Sequence, residues 1–565
     1  MPYRAPLADF AFLLDVVGFE KVAATARFAD ASPETVTAIL AEAGKLCETT
    51  LAPLNRAGDK TPARLENGVV RTSPGFAEGY RAIAEGGWIG MAASPEFGGM
   101  GLPMSVATCV NDMMGSACLA LQLNPLMTQG QIEALEHHAS DALKALYIPK
   151  LVSGAWCGTM NLTEPQAGSD VGAVRTRAED RGDGTYAITG QKIYITWADN
   201  DFSGNVCHLV LARLPDGPEG TKGISLFMVP KLIPDADGNL GARNDLKVVS
   251  LEHKLGLHGS PTAVMQYDGA QGWLVGKKHN GMAAMFTMMN NARLGVGMQG
   301  VAVAEAAFQQ ALAYAMERKQ GKTPLGSGAI IDHADVRRML AQMKAEVFSA
   351  RAIGLACAVA IDMGRATGAA EWLARAALLT PIAKAYGTDV GCEVAHLGVQ
   401  VHGGMGFIED TGAAQFARDV RVTAIYEGTN GIQAMDLVGR KMMDQGEAAY
   451  RLCDEVQAAA EAARAVHPDL AGAVWTAAEG LREATEALVA MPMQDRFAGA
   501  VPYLRAFARV LGGHFHLTSA VRDPARLALA QFAIKRLLPE YTALLAQVRE
   551  GSAGLYALTP EALIA

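Results

Sequence analysis

Near residue 159 the chain changes texture, and near residue 276 it changes back. Between those points stand "GTYAITGQKIYIT", "CHLVLARL", "GISLFMVPKL" and "PTAVMQYDG", short β-branched and aromatic runs bounded by Asp, Gly and Pro. Such runs suit a pleated, half-buried surface and predict strands of an antiparallel sheet or barrel. On either side the pattern is helical. Residues 33–60 and 76–90 have helical spacing, "SPEFGGMGLP" (94–103) is a Gly/Pro loop, and "SVATCVNDMMGSACLALQL" reads as a buried helix. After Gly276 come Ala-rich segments at 282–319, 334–365 and 370–402, and 446–565 is helical again. At roughly 150 residues per domain, a 565-residue chain holds several cores. The expected architecture is multidomain α+β: an N-terminal arm (1–34), an N-terminal helical domain (35–158), a middle β domain (159–276), a helical bundle (277–445) and a C-terminal helical extension (446–565).

Composition excludes several classes. With 50% hydrophobic and 19% charged residues, the chain can pack densely. A net charge of −9 argues against broad nucleic-acid binding, which needs dense Lys and Arg to neutralise phosphates. The 8 cysteines form no CxxC pair and no zinc spacing, as expected of reduced core residues in a cytoplasmic protein. The opening "MPYRAPLADFAFLLDVVGFE" is a poor signal peptide, since Asp15 breaks its apolar run and no small-residue cleavage site follows. No apolar run approaches the length of a spanning helix, so no membrane insertion is expected.

Several motifs lack the context their chemistry needs. "GVGMQG" (295–300) fits GxGxxG, but "MAAMFTMMNNAR" before it is helical, whereas a dinucleotide fingerprint follows a strand. Glycines in a helix–helix contact explain it better. "HFH" (514–516) has no other ligand cluster nearby and reads as part of a helix. HExxH and GxSxG are absent. The Met-rich "GMAAMFTMM" (281–289) reads first as helix core.

Three stretches point to chemistry. "NLTEPQAGSDVGA" (161–173) gathers hydroxyls, glycines and free backbone N–H groups that can bind a planar heterocycle or a phosphate. "QVHGGMGFIEDTGAAQFARD" (400–419) allows close backbone approach at Gly403, Gly404 and Gly406. "AIYEGTNGIQ" (424–433) sets Glu427 between an aromatic residue and a glycine, as a reagent or as a helix-capping carboxylate.

Together these resemble the acyl-CoA dehydrogenase family. Leu162, Thr163, Glu164, Ala167, Gly168, Ser169, Asp170 and Ala173 match its first signature, with Asn161 the departure. Gln400, Gly403, Gly404, Gly406, Phe407, Asp410 and Asp419 match the second, with Gln415 where the family has Lys or Arg. "YEGT" follows in order. The resemblance covers about 35–445, and "YRAPLADFAFLL", "LEHKLGLHGSPTAVMQYDGA" and the tail resemble a long subgroup with a C-terminal helical extension.

The resemblance implies an N-terminal helical domain, a β-barrel-like middle domain and a four-helix bundle, with FAD as cofactor. The implied reaction is α,β-dehydrogenation of an acyl-CoA, with Glu427 as the base that takes the α-proton. Some relatives place the base at the position of Ala292, where "MNNAR" offers no acid. Leu162, Thr163, Gly168 and Ser169 are implied FAD contacts, as are Tyr194 (Trp in most relatives) and Thr196 near N5. Arg318 and Gln320 match the pair that reaches a neighbouring subunit's pyrophosphate. Gln400, Gly403 and Gly404 would cradle the adenosine, Thr429 would touch the cofactor, and His333 is either a pocket residue or structural. Ser169, Arg293 and Gly428 match substrate positions. "NG" at 430–431 departs from the commoner Gln or Asp.

From the same resemblance follow electron-transfer flavoprotein as acceptor, a homodimer, and the 3-methylmercaptopropionyl thioester of dimethylsulfoniopropionate degradation as first candidate substrate. Straight-chain or aryl acyl-CoAs come second. An oxidase differs only in oxygen access. A DNA-binding relative of the same fold would need a basic tail, whereas 446–565 mixes Arg with many acids and holds a single Lys.

Overall fold

A computed structural model describes residues 3–565, the side chains of 290 and 291 aside. Its main helices are α1 (Leu7–Val16), α2 (Met104–His138), α3 (Gly281–Glu317), α4 (Ala334–Thr367), α5 (Ala370–His402), α6 (Asn430–Val438), α7 (Glu447–Ala463), α8 (Pro468–Ala490), α9 (Ala500–Arg522) and α10 (Glu540–Arg549). The strands of its large sheet are β1 (Trp156–Asn161), β2 (Arg177–Asp180), β3 (Tyr186–Thr196), β4 (Asn205–Arg213), β5 (Ile224–Pro230), β6 (Leu246–Leu251) and β7 (Thr262–Val275). Compactness divides the chain against its linear order. One unit is Met1–Leu40, Met104–Asp112 and Arg293–Ala565, and the other is Ala41–Pro103 with Met113–Ala292.

The second unit contains the sheet, in the order β6-β7-β3-β2-β4-β1. Strand β5 pairs with both β7 and β4, so β7, β3, β2, β4 and β5 close into a ring. Closure removes most of the unpaired edge that an open sheet exposes. The ring encloses Ile188, Phe227, Val229, Tyr267 and Ala270, each fully buried. Strand β3 alternates between buried and open positions, whereas β5 is buried throughout, matching its unbroken apolar run. The expectation of a purely antiparallel sheet needs correction. β1 lies parallel to β4, from Trp156 opposite Asn205 to Asn161 opposite Val210. The chain between them is long enough for a crossover, and β2 and β3 lie in it.

The first unit is helical. α4 and α5 pack against each other along their length and join through Gly368, which takes the left-handed C-cap at φ 66°. "GVGMQG" is the face of α3 that meets α5. A Cβ on Gly300 would stand 2.3 Å from the Gly387 carbonyl oxygen, and one on Gly297 would stand 2.5 Å from that of Ala383. The glycines therefore serve close helix packing. The extension docks on the same unit: α9 packs against α4, α5 and α6.

Residues 7–16, expected within an arm, form a helix held by both bundle and extension. Phe10 is fully buried beneath the Arg351 guanidinium, and Asp9 pairs with Lys344 (2.6 Å) and Arg526 (3.0 Å). The "HFH" residues His514 and His516 lie buried on α9, and His516 Nε2 stands 3.2 Å from the Ala345 carbonyl oxygen. Two helices, α2 and α4, are long and apolar enough to cross a membrane, but their apolar windows are 89% and 94% buried. Packing in the core accounts for that apolarity.

Candidate active site

AIYEGTNGIQ forms a turn that leads into α6. Glu427 and Gly428 both take left-handed backbone, with φ of 55° and 86°. For glutamate this costs about 1 kcal/mol or more, so the surroundings must hold the turn. Gln433 Nε2 donates to the Glu427 carbonyl at 3.0 Å, and Lys384 Nζ donates to the Gly428 carbonyl at 2.8 Å. Thr429 caps α6, its hydroxyl accepting from the Ile432 N–H at 3.3 Å. The capping role considered for Glu427 thus belongs to its neighbour.

The Glu427 carboxyl is pushed up to about 7 by burial, against the opposing charges of Arg293 and Lys384. Its Oε2 is buried and has no hydrogen-bond partner among the described residues. Arg293 Nε is in the same condition, while Arg293 Nη1 lies 3.4 Å from buried Asp436. A carboxyl poised near neutrality beside a partly unsatisfied guanidinium can take a proton and steady developing negative charge.

In the second unit, "NLTEPQAGSDVGA" folds around a residue that sequence reasoning gave no role. Glu164 is buried, pairs with Lys192 Nζ at 2.8 Å, and accepts from the N–H groups of Arg175 (2.7 Å) and Thr176 (3.0 Å). Lys192 also donates to the Leu162 carbonyl at 3.0 Å. These donors offset burial and hold Glu164 down at about 2. The loop is therefore anchored from below, which leaves Gly168 and Ser169 exposed and Thr163 half-buried. The opposing strand shows why Tyr194 is presented outward. Between the pairs Ala263–Ile195 and Met265–Lys192, β3 carries one extra residue. At this bulge Tyr194 has φ 61° and is 61% exposed, with Thr196 half-buried two residues on. A bulge re-aims a side chain in this way.

The remaining expected cofactor residues lie in the first unit. Arg318 and Gln320 are exposed just after α3, and His333 Nε2 meets the Gln320 carbonyl at 3.1 Å. Gln400, Gly403 and Gly404 form an exposed end of α5. A Cβ on Gly168, Gly403 or Gly404 would meet nothing within 4 Å. Nothing in the packing requires glycine at Gly168 or Gly404, as suits backbone that a ligand approaches, whereas the φ of 60° at Gly403 itself favours glycine. In the second unit, the outward Tyr194 ring and the open loop at Gly168 suit a planar group. In the first, the buried Glu427 and Arg293 atoms without partners among the described residues suit a polar ligand such as a thioester. Of the departures from the signatures, Asn161 donates to Thr159 Oγ1 (2.8 Å) and accepts from Tyr267 OH (2.8 Å), and Gln415 donates to Asp419 (3.1 Å). Both are absorbed by local polar pairs.

The chain belongs to the acyl-CoA dehydrogenase family. It matches the family's N-terminal domain over 33–155, its middle domain over 159–270, its C-terminal domain over 279–443 and the "acetyl-CoA dehydrogenase C-terminal like" domain over 452–559. It is thus an FAD-dependent acyl-CoA dehydrogenase, an oxidoreductase acting on a CH–CH bond.

Among its relatives is 3-methylmercaptopropionyl-CoA dehydrogenase of Ruegeria pomeroyi, 45% identical over 94% of this chain and 92% of that protein. A butyryl-CoA dehydrogenase of Syntrophomonas wolfei is 36% identical over 71% of this chain and 69% of that one. In fold the chain resembles Caenorhabditis elegans ACDH-11, solved with C11-CoA: TM-score 0.78, 21% identity, 90% of this chain and 88% of that one.

Proposed function

We propose that this enzyme converts 3-methylmercaptopropionyl-CoA to 3-methylthioacryloyl-CoA in dimethylsulfoniopropionate degradation, with electron-transfer flavoprotein as acceptor. Support comes from the 45% identity to the Ruegeria pomeroyi enzyme over 94% of this chain, a span that must reach into the C-terminal extension.

The observation behind the mechanism is Glu427, a carboxyl raised to about 7 with a buried oxygen that has no partner among the described residues. Glu427 takes the α-proton onto its carboxylate. As the thioester oxygen gains charge, the Glu427 N–H and Arg293 steady it. Gly428, lacking a side chain, leaves room for the acyl group. FAD, when bound, would supply the hydride acceptor for the β-hydrogen. Leu162, Thr163, Gly168, Ser169, Tyr194, Thr196 and Thr429 would hold the flavin end of the cofactor. Arg318, Gln320, His333, Gln400, Gly403 and Gly404 would hold the nucleotide end, the first two reaching across to a second subunit of a cytoplasmic homodimer. Ser169 also lies on the path of the CoA arm.

Anaerobic flavin bleaching against an acyl-CoA panel tests this reading. The methylmercaptopropionyl thioester should bleach wild type fastest, and Glu427→Gln should lose at least about 100-fold in rate, the usual scale of a general base. The resemblance to the butyryl-CoA enzyme favours a straight-chain reading second. Faster bleaching by butyryl-CoA would select it, and unimpaired Glu427→Gln would remove the proposed base.

A further inference from the structure

On α5, Lys384, Thr388 and Asp389 meet the turn that contains Glu427. Lys384 is fully buried, yet among the described residues its ammonium makes no ion pair within hydrogen-bond distance. It donates to the Gly428 carbonyl at 2.8 Å and to Asn430 Oδ1 at 2.9 Å. The Asn430 amide group then donates to Asp389 (2.6 Å), Thr388 Oγ1 (2.9 Å) and the Ala385 carbonyl (3.2 Å). Burying an ammonium costs several kcal/mol unless a close counter-charge or good acceptors compensate. Here the acceptors belong to residues one and three beyond Glu427, so the buried charge grips the turn on both sides of Thr429.

We propose that Lys384 is a positioning residue for Glu427, clamping the left-handed turn through the Gly428 carbonyl and Asn430. This rests on Glu427 being the base. The lysine acts electrostatically as well. Its charge opposes the burial that raises Glu427, and burial lowers Lys384 itself to about 8. Other groups bearing on the pair are Arg293 from α3, Tyr426 beside Glu427, and Asp389 and Cys392 on α5. Asp436 and Arg440 act through Arg293, and Arg505 of α9 acts on Asp389.

The consequence is a narrow window. Glu427 is ionised above about 7, and Lys384 keeps its charge below about 8. Flavin reduction in the holoenzyme should therefore follow a bell-shaped pH profile with limbs near those values. Lys384→Met should slow reduction about tenfold or more, move the acid limb upward and abolish the alkaline limb. Lys384→Arg, charged throughout, should keep the acid limb and lose the alkaline one. Asn430→Ala should slow reduction and leave both limbs in place. Calorimetric affinity for a non-dehydrogenable thioether analogue of the acyl-CoA should stay within about twofold in each variant.

Wild-type rate and limbs in Lys384→Met would overturn the proposal. If that variant does not fold, Asn430→Ala decides, and a wild-type reduction rate there overturns it. Glu427→Gln separates the two claims. If it still reduces flavin, the base assignment fails. If it is inactive while Lys384→Met is unimpaired, the lysine proposal alone fails.

Discussion

At the scale of single residues, Glu427 has a thermodynamic signature besides its proposed chemistry. Its folded-state pKa stands above the ordinary carboxylate value of 4.5, at about 7. Neutral Glu427 is compatible with the fold, so stability is full below pH 4.5 and is lost as pH rises through 7. Glu427→Gln should therefore match wild type at pH 4.5 and exceed it at pH 8, by about 1–2 kcal/mol given the residue's partial exposure. Thermal melts of the apoprotein at both pH values measure this, and an equal gain at both would refute it. Glu164 has the opposite sign: held at about 2, it contributes stability above pH 4.5 that is lost on acidification. Lys192→Met removes its buried partner and should cost about 3–5 kcal/mol, most of it recovered in the double variant with Glu164→Gln. Neither lysine was legible in the sequence. "AKA" and "QKI" read like any surface cation, and only the fold places Glu164 beside Lys192 or Gly428 beside Lys384.

Elements divide by whether their signal is local. The strands could be read because a pleat imposes a two-residue period on their own side chains. The parallel pairing of β1 with β4 could not, since partner choice depends on the connection between them. The Tyr194 bulge was hidden for the same reason, because it exists only relative to the register of β7. "GVGMQG" shows the reverse case, in which context defeats a motif: α3 is a helix, and its glycines meet α5. Gly300→Ala would place a Cβ 2.3 Å from the Gly387 carbonyl, backbone that cannot rotate away. A loss of about 1–3 kcal/mol is expected, with α3 and α5 forced apart. The cap on α6 makes a milder test. Thr429→Ala should cost about 1 kcal/mol and Thr429→Ser much less. Denaturant midpoints distinguish these effects, and equal losses in the two threonine variants would show that the hydroxyl is not the cap.

Across the whole molecule, the extension is tied to the helices that hold the Glu427 turn by buried charge as well as by apolar contact. Arg509 of α9 donates from Nη1 to both Glu346 oxygens (2.7 and 2.8 Å) and lies 3.0 Å from Tyr386 OH, which itself donates to Glu346 at 2.6 Å. Glu346 and Tyr386 sit on α4 and α5, and α5 also carries Lys384. Sequence texture showed that 446–565 is helical but not where it docks, because an arginine on an Ala-rich helix suits solvent equally well. The burial of Glu346 makes the docking testable. Arg509→Met leaves that carboxylate, among the described residues, with the tyrosine donor alone and should cost about 3–5 kcal/mol, whereas Glu346→Gln/Arg509→Met should recover most of it. Arg522 pairs with Asp15 at an exposed site, so Arg522→Met should cost about 0–1 kcal/mol. Salt separates the two further. At 1 M NaCl the surface pair is screened and its small contribution should vanish, while the Arg509 loss should persist. Since α9 packs on α6, which begins at the turn of Glu427, the proposed base, undocking should also slow flavin reduction in Arg509→Met. Reduction at wild-type rate in a measurably destabilised variant would restrict the extension to a structural role.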